Sequence, residues 1–256
     1  MSGTRRDRRE AELAERREKR QRQRQRQRQS ARGQLPLLPI TLGVLALAVV
    51  GVLIYAFVIA PPPPPVADVR SPTQPAPYEL ADGSALGALD APLTIEIWSD
   101  YQCPACAQLA RSVNPLLIAD YVEPGKVRLA YREFAFLGPE SIEAAAGVRC
   151  AERQGRFWQF HDYLFANAGA ENQGGYSAGR LELMARNSGL DVDQWSSCMA
   201  DPQVRGEVAA EREEGVRLGV NSTPTLIVGD EMLRGVPQSY PDLAALIDAQ
   251  LEALGE

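Results

Sequence analysis

Two cysteines separated by two residues constrain the fold of this chain more than any other feature. They form the run Cys103-Pro104-Ala105-Cys106, which follows the segment Leu93–Trp98, rich in β-branched and aromatic residues. Apolar residues then recur at helical spacing from the first cysteine to about Tyr121. The pattern predicts that a strand runs into a helix at the cysteines. Pro104 suits the opening turn of that helix, where a missing N–H costs nothing.

Further strands and helices extend this unit into an α/β domain. A second strand is predicted at Val127–Tyr131, so strand, helix and strand suggest a parallel βαβ unit. From about residue 139 to 218 the pattern is helical, which we interpret as an inserted helical subdomain. The chain returns to strand at Thr225–Val228 and Met232-Leu233, and closes with a helix from Pro241 to about Leu254. The two halves of the domain therefore flank the insertion.

The position of the cysteine pair at a helix start favours redox chemistry. The N–H groups and partial positive charge of a helix N-terminus stabilise a thiolate, and thiols in CxxC motifs can have a pKa of roughly 3.5–7.5. Cys103, the first of the two, gains most of this thiolate stabilisation and is the predicted nucleophile. Cys106 is then the resolving thiol. Such disulfide exchange needs no metal and no bound cofactor.

Two other interpretations of the pair are less well supported. A zinc site would need a second short-spaced ligand pair, but the other cysteines lie 48 positions apart and the chain has one histidine. An inert structural disulfide between Cys103 and Cys106 would close too short a loop to stabilise the fold much.

The remaining cysteines, Cys150 and Cys198, both fall in the helical insertion. In an oxidising compartment an even cysteine count favours pairing, so we predict a disulfide between them. Closing a loop of this length stabilises a fold by roughly 4 kcal/mol at most. We interpret the bridge as structural, the alternative being a second redox relay.

The N-terminal part of the chain has a strongly basic composition. Residues 1–34 hold 13 of the 27 Lys and Arg residues but only 5 of the 33 Asp and Glu residues. Such an arm could bind nucleic acid or an anionic membrane surface. The Arg-Gln alternation at 21–29 contains no aromatic residue for base stacking, which argues against nucleic acid.

An uncharged segment follows the basic arm. The 24 residues from Leu37 to Ala60 contain no charge, and as a helix they would be about 36 Å long, against about 30 Å for the hydrocarbon core of a bilayer. A cleaved signal peptide is the alternative, but Pro61 directly after Val58-Ile59-Ala60 is a poor cleavage context. The arginines favour a cytoplasmic N-terminus. The segment therefore predicts a single-pass anchor in the cell membrane with the rest of the chain outside the cytoplasm.

These patterns give the predicted organisation of the chain. It comprises a basic cytoplasmic arm (1–36), a transmembrane helix (37–60), a proline-rich linker (61–84) and a folded domain (85–256) with a helical insertion at about 139–218. The linker is expected to be an extended spacer without a core of its own.

Taken together, the motifs resemble the DsbA-like thiol:disulfide oxidoreductases of the thioredoxin superfamily over about residues 85–254. The resemblance is carried by Ser99–Cys106 and Val220–Thr225, with Phe157–Asp162 as a helical landmark between them. It implies a thioredoxin-like fold. It also implies a cis bond between Thr223 and Pro224 that faces the cysteines, which makes these two residues a substrate-docking loop.

Two positions depart from the family pattern. The dipeptide between the cysteines is Pro104-Ala105 rather than the Pro-His of strongly oxidising members, which suggests a milder oxidant. Relatives often carry a buried acid on the first strand where this chain has Ile97, while Glu96 faces the other way. The sequence therefore offers no acid at this family position for proton exchange with Cys106. The one histidine, His161, lies among aromatic residues and is assigned a packing or hydrogen-bonding role.

The leading functional expectation is a thiol oxidase that accepts electrons from paired thiols of secreted or membrane proteins through a mixed disulfide on Cys103. The resemblance implies reoxidation by a quinone-linked membrane partner. One alternative is a reductase or isomerase with the same site. Another is a non-catalytic tethered module that holds extended peptides as a chaperone would.

Overall fold

The computed structural model describes residues 5–32, 43, 45–51 and 68–255. The chain divides into two compact units, Met1–Pro64 and Pro65–Glu256. In the first unit, α1 (Arg5–Arg32) is a polar helix whose residues 14–27 are all exposed. Ion pairs one turn apart, such as Lys19 with Glu15, lie along it. This helix covers most of the predicted basic arm.

The predicted transmembrane segment, residues 37–60, lies mostly outside the described residues. Its described part, Gly43 and residues 45–51, is helical and exposed. Across the described ranges, no helix is both long enough and apolar enough to cross a bilayer.

The second unit is built on a mixed sheet of six strands in the order β1-β2-β4-β3-β5-β6. The strands are β1 (Ala81–Asp82), β2 (Ala85–Leu86), β3 (Leu93–Ser99), β4 (Val127–Glu133), β5 (Thr225–Val228) and β6 (Glu231–Arg234). β3 and β4 pair in parallel, with Ile97 opposite Tyr131 and Ser99 opposite Glu133, and the other pairs are antiparallel. The predicted strand-helix-strand unit is therefore confirmed.

The helix that joins β3 to β4 begins at Pro104, directly after Cys103. It consists of four consecutive segments: α2 (Pro104–Gln108), a π-helical turn (Leu109–Val113), α3 (Asn114–Leu117) and a second π-helical turn (Ile118–Val122). Pro115, which has no N–H to donate within the helix, lies just after the first π-helical turn. The side chains of one face, including Cys106 and Leu109, are buried in the main core against the sheet.

The predicted helical insertion is present. It contains α4 (Pro139–Glu152), α5 (Phe157–Ala166), α6 (Ala178–Asn187), α7 (Val192–Met199) and α8 (Pro202–Arg217). The indole N–H of Trp195 donates to the Gly147 carbonyl at 2.9 Å, which joins α7 to α4. A disulfide between Cys150 and Cys198 also joins these two helices, with a Cα–Cα distance of 5.8 Å.

The opposite face of the sheet is covered by α8. Trp98, Phe134 and Val220 form a small cluster there, and a Cβ atom on Gly215 would lie 2.8 Å from both aromatic rings. The close approach of α8 therefore requires a residue without a side chain at position 215. Ion pairs from Arg149 to Glu133, at 2.8 Å, and to Glu211 tie α4 and α8 to the end of β4.

The C-terminal part follows the predicted order. β5 and β6 form a hairpin whose turn contains Gly229 in the left-handed region, at φ +59°. The final helix α9 (Tyr240–Leu254) is capped by the Ser239 side chain, which accepts a hydrogen bond from the Asp242 N–H.

The start of the folded domain differs from the prediction. Residues 68–84, which were expected to belong to an extended linker, pack against the domain. The Ala76 N–H and the Tyr78 hydroxyl both donate to Asp162 Oδ2 at 2.9 Å, and Asn167 exchanges hydrogen bonds with the Arg70 backbone. Residues 81–86 add the β1-β2 hairpin to the sheet. The domain therefore includes these residues, because their backbone polar groups find partners on α5 and β4.

Candidate active site

The loop between β3 and α2 is held by one buried carboxylate. Asp100, 1% exposed, accepts hydrogen bonds on Oδ1 from the Gln102 N–H (2.8 Å) and the Ser141 hydroxyl (2.7 Å). Its Oδ2 accepts from the N–H groups of Phe136 (2.9 Å) and Leu137 (3.1 Å). These four hydrogen bonds fix the loop that positions Cys103 at the start of α2.

The side chain of Gln102 extends this network. It donates to the Ser141 hydroxyl at 2.8 Å and accepts from the Asn172 N–H at 2.6 Å. The aromatic residue before it, Tyr101, bonds through its hydroxyl to His161 Nδ1 at 3.1 Å. The cysteine loop is thus anchored to α4 and α5 of the insertion.

Cys103 is the N-cap residue of α2 and has extended backbone angles. The pKa of its thiol is lowered to about 6, chiefly because the Cys106 thiol donates to it, and further by the Thr223 side chain and by the N–H groups of Cys106 and Ala105. Partial burial opposes this shift. At neutral pH Cys103 is therefore mostly a thiolate.

Cys106 has the opposite protonation preference. It is 1% exposed, and burial together with the neighbouring Cys103 sulfur raises its thiol pKa well above the usual value. Neither cysteine is in a disulfide in this structure. The reduced pair therefore carries one thiolate, on Cys103, and one thiol, on Cys106.

The predicted docking loop lies beside the first cysteine. The peptide bond between Thr223 and Pro224 is cis, and Cys103 Sγ lies 3.4 Å from the Thr223 carbonyl oxygen, although the two residues are 120 positions apart. The loop is positioned by β5, in which Thr225 pairs with Trp98 of β3, and by the Gly235 N–H, which donates to the Pro224 carbonyl at 2.7 Å. The fold thus brings the two predicted segments together.

The residues between and around the cysteines are placed as follows. Pro104 is exposed at the start of α2, and Ala105 is half-buried. Ile97 is buried in the main core. Glu96 projects to the other face, where it accepts from the Trp98 indole N–H at 3.0 Å and pairs with Arg132 at 3.1 Å. The structure therefore has no carboxylate at the position where the family pattern has its buried acid.

The other two cysteines take part in a separate structure. Cys150 is buried in α4 and Cys198 is half-buried in α7, where Arg153 Nη1 lies 3.5 Å from its sulfur. Their disulfide holds two helices of the insertion together, whereas Cys103 and Cys106 lie at the end of the sheet.

His161 has the packing and hydrogen-bonding environment expected for it. Its ring is buried in α5 among Tyr101, Tyr131, Trp158 and Phe165, with ring centroids 4.5–5.7 Å away. Burial lowers its pKa to about 3, so the ring is neutral at physiological pH.

Sequence reasoning assigned no role to Asp100, Gln102 or Ser99, although all three lie in the motif that carried the family resemblance. Their partners, including Ser141 and Asn172, are 39 and 70 residues away from Gln102. The signal that could have found them is the run of polar residues directly before the cysteines, at a place where a strand end and a helix start both need hydrogen-bond partners.

Together, the sheet, the thiolate at a helix start and the adjoining cis-proline loop define a thioredoxin-like thiol–disulfide exchange site. Comparison with known proteins agrees. A family profile described as thioredoxin matches residues 80–249. The chain belongs to this thioredoxin family.

Individual relatives have related descriptions. A probable disulfide bond formation protein D of Bacillus cereus is 24% identical over 172 residues, which is 66% of this chain and 78% of the relative. The oxidised BdbD structure from Bacillus subtilis has a TM-score of 0.62 at 22% identity and covers 73% of this chain and all of its own. A thioredoxin-like oxidoreductase from Silicibacter pomeroyi is 31% identical with a TM-score of 0.55, covering 66% of this chain and 91% of its own.

Proposed function

We propose that this chain, a thiol:disulfide oxidoreductase, introduces disulfides into protein substrates by exchange at Cys103 and Cys106. The observation that carries the proposal is the position of Cys103 at a helix start, 3.4 Å from the Thr223 carbonyl oxygen, where the pKa of its thiol is lowered to about 6. A stabilised thiolate favours the reduced form of the pair, which makes the disulfide form an oxidant. The descriptions of the relatives from Bacillus as disulfide bond formation proteins support the same chemistry.

The expected reaction has two exchange steps. A substrate thiolate attacks Cys103 Sγ of the oxidised pair, the Cys103–Cys106 bond breaks, and the electron pair passes to Cys106 Sγ. The second substrate thiolate then attacks the substrate sulfur of the mixed disulfide and expels Cys103 as a thiolate. The substrate is oxidised by two electrons and the cysteine pair is reduced by two. The low pKa of Cys103 makes it a good leaving group in the second step.

The docking loop suits an extended substrate. In the proposed complex, a peptide lies along the loop at Thr223 and Pro224 with its cysteine against Cys103, the edge-strand mode of peptide recognition. The Phe136 side chain, 41% exposed, lies next to the Asp100 loop and offers an apolar contact for unfolded proteins.

The pKa of Cys103 bears on the strength of oxidation. Typical values are about 3.5 for a strong oxidant of this superfamily and about 7 for thioredoxin. A pKa of about 6 lies between them. We therefore propose a mild oxidant, in agreement with the absence of a histidine between the cysteines.

The proposal includes a location for the catalytic domain outside the cytoplasm. The basic residues of 1–34, the uncharged segment 37–60 and the disulfide between Cys150 and Cys198 support a single-pass anchor with the catalytic domain outside the cytoplasm. The substrates are then thiol-containing secreted or membrane proteins, and the proposed recycling partner is a quinone-linked membrane protein. Protease protection of residues 68–255 in right-side-out vesicles would contradict this orientation.

The proposal is tested by equilibrating the full-length chain with glutathione and by following oxidation of a reduced, unfolded protein. We expect a reduction potential well above about −270 mV, the value of thioredoxin, and substrate oxidation that Cys103→Ser abolishes. Cys106→Ser should trap substrate as a mixed disulfide on Cys103. A potential at or below that of thioredoxin would favour a reductase, and unchanged function in Cys103→Ser would favour a peptide-binding module.

A further inference from the structure

Cys106 must lose and regain a proton in each redox cycle, but it lies in an apolar core. Besides burial, the leading influences on its pKa are the Cys103 sulfur, the Ser99 hydroxyl and the Asp100 backbone. The strand position that holds a buried acid in the family pattern is Ile97, and Glu96 projects to the opposite face. The structure therefore has to assist Cys106 through other groups.

Ser99 lies on the sheet face against which the helix of Cys106 packs. It is the last residue of β3 and 2% exposed, and its carbonyl accepts the Phe134 N–H at 2.8 Å, which fixes its backbone. Because side chains alternate along a strand, Ser99 shares the face of Ile97, on which the helix that carries Cys106 packs. A hydrogen bond from its hydroxyl favours the thiolate form and lowers the pKa of Cys106.

Tyr131 lies on the neighbouring strand behind Ser99. It is 2% exposed and pairs with Ile97 across β3 and β4. Its ring stacks on Tyr101 at 5.5 Å and meets the edge of His161 at 4.5 Å, so the ring is held in place. In the described part of the chain the Tyr131 hydroxyl has no hydrogen-bond partner of good geometry, although the Ser99 and Tyr101 hydroxyls adjoin it.

A buried hydroxyl without a partner is unfavourable, and native structures keep few of them. Phenylalanine would fill the same space without this cost. In the dithiol form the Tyr131 hydroxyl therefore has hydrogen-bonding capacity left for a neighbouring group when the charge on Cys106 changes.

We propose that the Ser99 hydroxyl donates a hydrogen bond to the Cys106 sulfur as that sulfur gains charge, and that the Tyr131 hydroxyl is a positioning group that donates to Ser99 Oγ. The two hydroxyls take the place of the buried acid of the family pattern. The inference rests on the proposed function, because it concerns the resolving thiol of the same exchange reaction.

When a thiolate attacks Cys103 Sγ, the Cys103–Cys106 bond breaks and Cys106 Sγ leaves with the electron pair. The Ser99 O–H then points to this sulfur, and the Tyr131 O–H points to the Ser99 oxygen. The proton that finally neutralises Cys106 is the one that the attacking thiol released on ionising. In the reverse direction the same hydroxyls stabilise Cys106 as the attacking thiolate.

Titratable side chains surround the two hydroxyls. Burial keeps the pKa of Tyr131 and Tyr101 well above 10, so both remain protonated. His161, on α5, is neutral because its pKa is about 3. Glu133, two residues beyond Tyr131 on the same face and opposite Ser99, lies 2.8 Å from Arg149, and burial together with Glu211 raises the pKa of its carboxyl. Cys103, on the helix, is the sulfur under attack.

The test compares Ser99→Ala, Tyr131→Phe and Ser99→Thr with the unchanged full-length chain. The first measurement is the rate at which the oxidised chain reacts with glutathione, from pH 5 to 8. We expect this rate to fall about tenfold or more in Ser99→Ala and several-fold in Tyr131→Phe, since hydrogen bonds to charged groups are the stronger ones. Ser99→Thr, which keeps the hydroxyl, should restore the rate to within about threefold.

Two further measurements separate this role from a structural one. The pKa of Cys103 in the reduced chain, read from the pH dependence of alkylation, should stay unchanged in all three variants. The thermal midpoint of Tyr131→Phe should change little, because the lost hydroxyl makes no hydrogen bond of good geometry in the dithiol form. Tyr121→Phe removes a part-buried hydroxyl that donates to Asp248 at 2.8 Å, away from the cysteines, and serves as a control with an unchanged rate.

Several outcomes would overturn the inference. They are a wild-type rate in Ser99→Ala or Tyr131→Phe, failure of Ser99→Thr to restore the rate, and a shift of the Cys103 pKa that accounts for the change in rate. Failure of the proposed function looks different: the unchanged chain would exchange with glutathione but would not oxidise a reduced protein. In that case the order of the exchange rates among the variants would still support the proposed role of the Ser99 and Tyr131 hydroxyls.

Discussion

At the scale of single residues, the site depends on one buried carboxylate as much as on the two cysteines. Asp100 accepts four hydrogen bonds, and their donors come from its own loop, from the segment after β4 and from α4. The carboxylate thus ties the start of the cysteine helix to the insertion. Its contribution is to positioning and stability, because no contact joins its oxygens to either sulfur.

Asp100→Asn should destabilise the domain. The amide has one acceptor oxygen instead of two, so the Phe136 and Leu137 N–H groups or the Ser141 hydroxyl would face an NH₂ group. We expect a loss of about 1–3 kcal/mol in the free energy of unfolding, measured with urea on the reduced chain.

Asp191→Asn is the matched control for this substitution. Asp191 is the exposed N-cap of α7, where asparagine caps equally well, so its unfolding free energy should change little. Equal stability of the two variants would show that the Asp100 network does not hold the loop.

At the scale of elements, the segment 68–78 closes over α5 through a few polar contacts. Two of these end on the same oxygen, Asp162 Oδ2, and come from the Ala76 N–H and the Tyr78 hydroxyl. Burial raises the pKa of Asp162 to about 6, and these two donors work against that shift. The segment is therefore held by a partly buried charge and its two hydrogen bonds.

Asp162→Ala should release this segment, because both donors lose their acceptor. Trypsin should then cut the chain after Arg70 roughly tenfold faster, as expected from the loss of hydrogen bonds worth about 1–3 kcal/mol. Cleavage at this bond is followed by mass spectrometry. Ser71→Ala, which removes only a long 3.5 Å contact to Tyr163, should leave the rate unchanged. Equal cleavage in both variants would mean that Asp162 does not hold the segment.

The order of elements could be predicted because each one has a local signal. Strands β3 and β4 have β-branched or alternating residues, and the cysteine helix has a regular apolar face and a proline at its start. The position of residues 68–84 could not be predicted, because a proline-rich segment has no periodicity. Its partners, Asp162 and Asn167, are about 90 residues further along the chain.

At the scale of the whole molecule, the candidate site could be predicted in its chemistry but only partly in its geometry. The cysteine pair follows from its spacing, and the docking loop followed from a resemblance at Val220–Thr225. Ser99 and Tyr131 share one face of the sheet through the parallel pairing of β3 and β4, and no local pattern encodes that register. The division of the chain also needed the structure, since β1 joins the sheet before the predicted start of the domain at residue 85.

The burial of Cys106 has a consequence for the electrochemistry of the molecule. Above pH 6 the reduced pair keeps one proton, on Cys106, whereas below pH 6 it also protonates Cys103 and keeps two. The midpoint potential should therefore fall by about 30 mV per pH unit above pH 6 and by about 59 mV per unit below it. A titration from pH 5 to 8 against a redox buffer would reveal the bend, and a constant slope of about 59 mV would contradict a Cys103 thiolate at neutral pH. The protein would thus be a proton-coupled oxidant whose driving force changes less with pH in neutral surroundings than in acid ones.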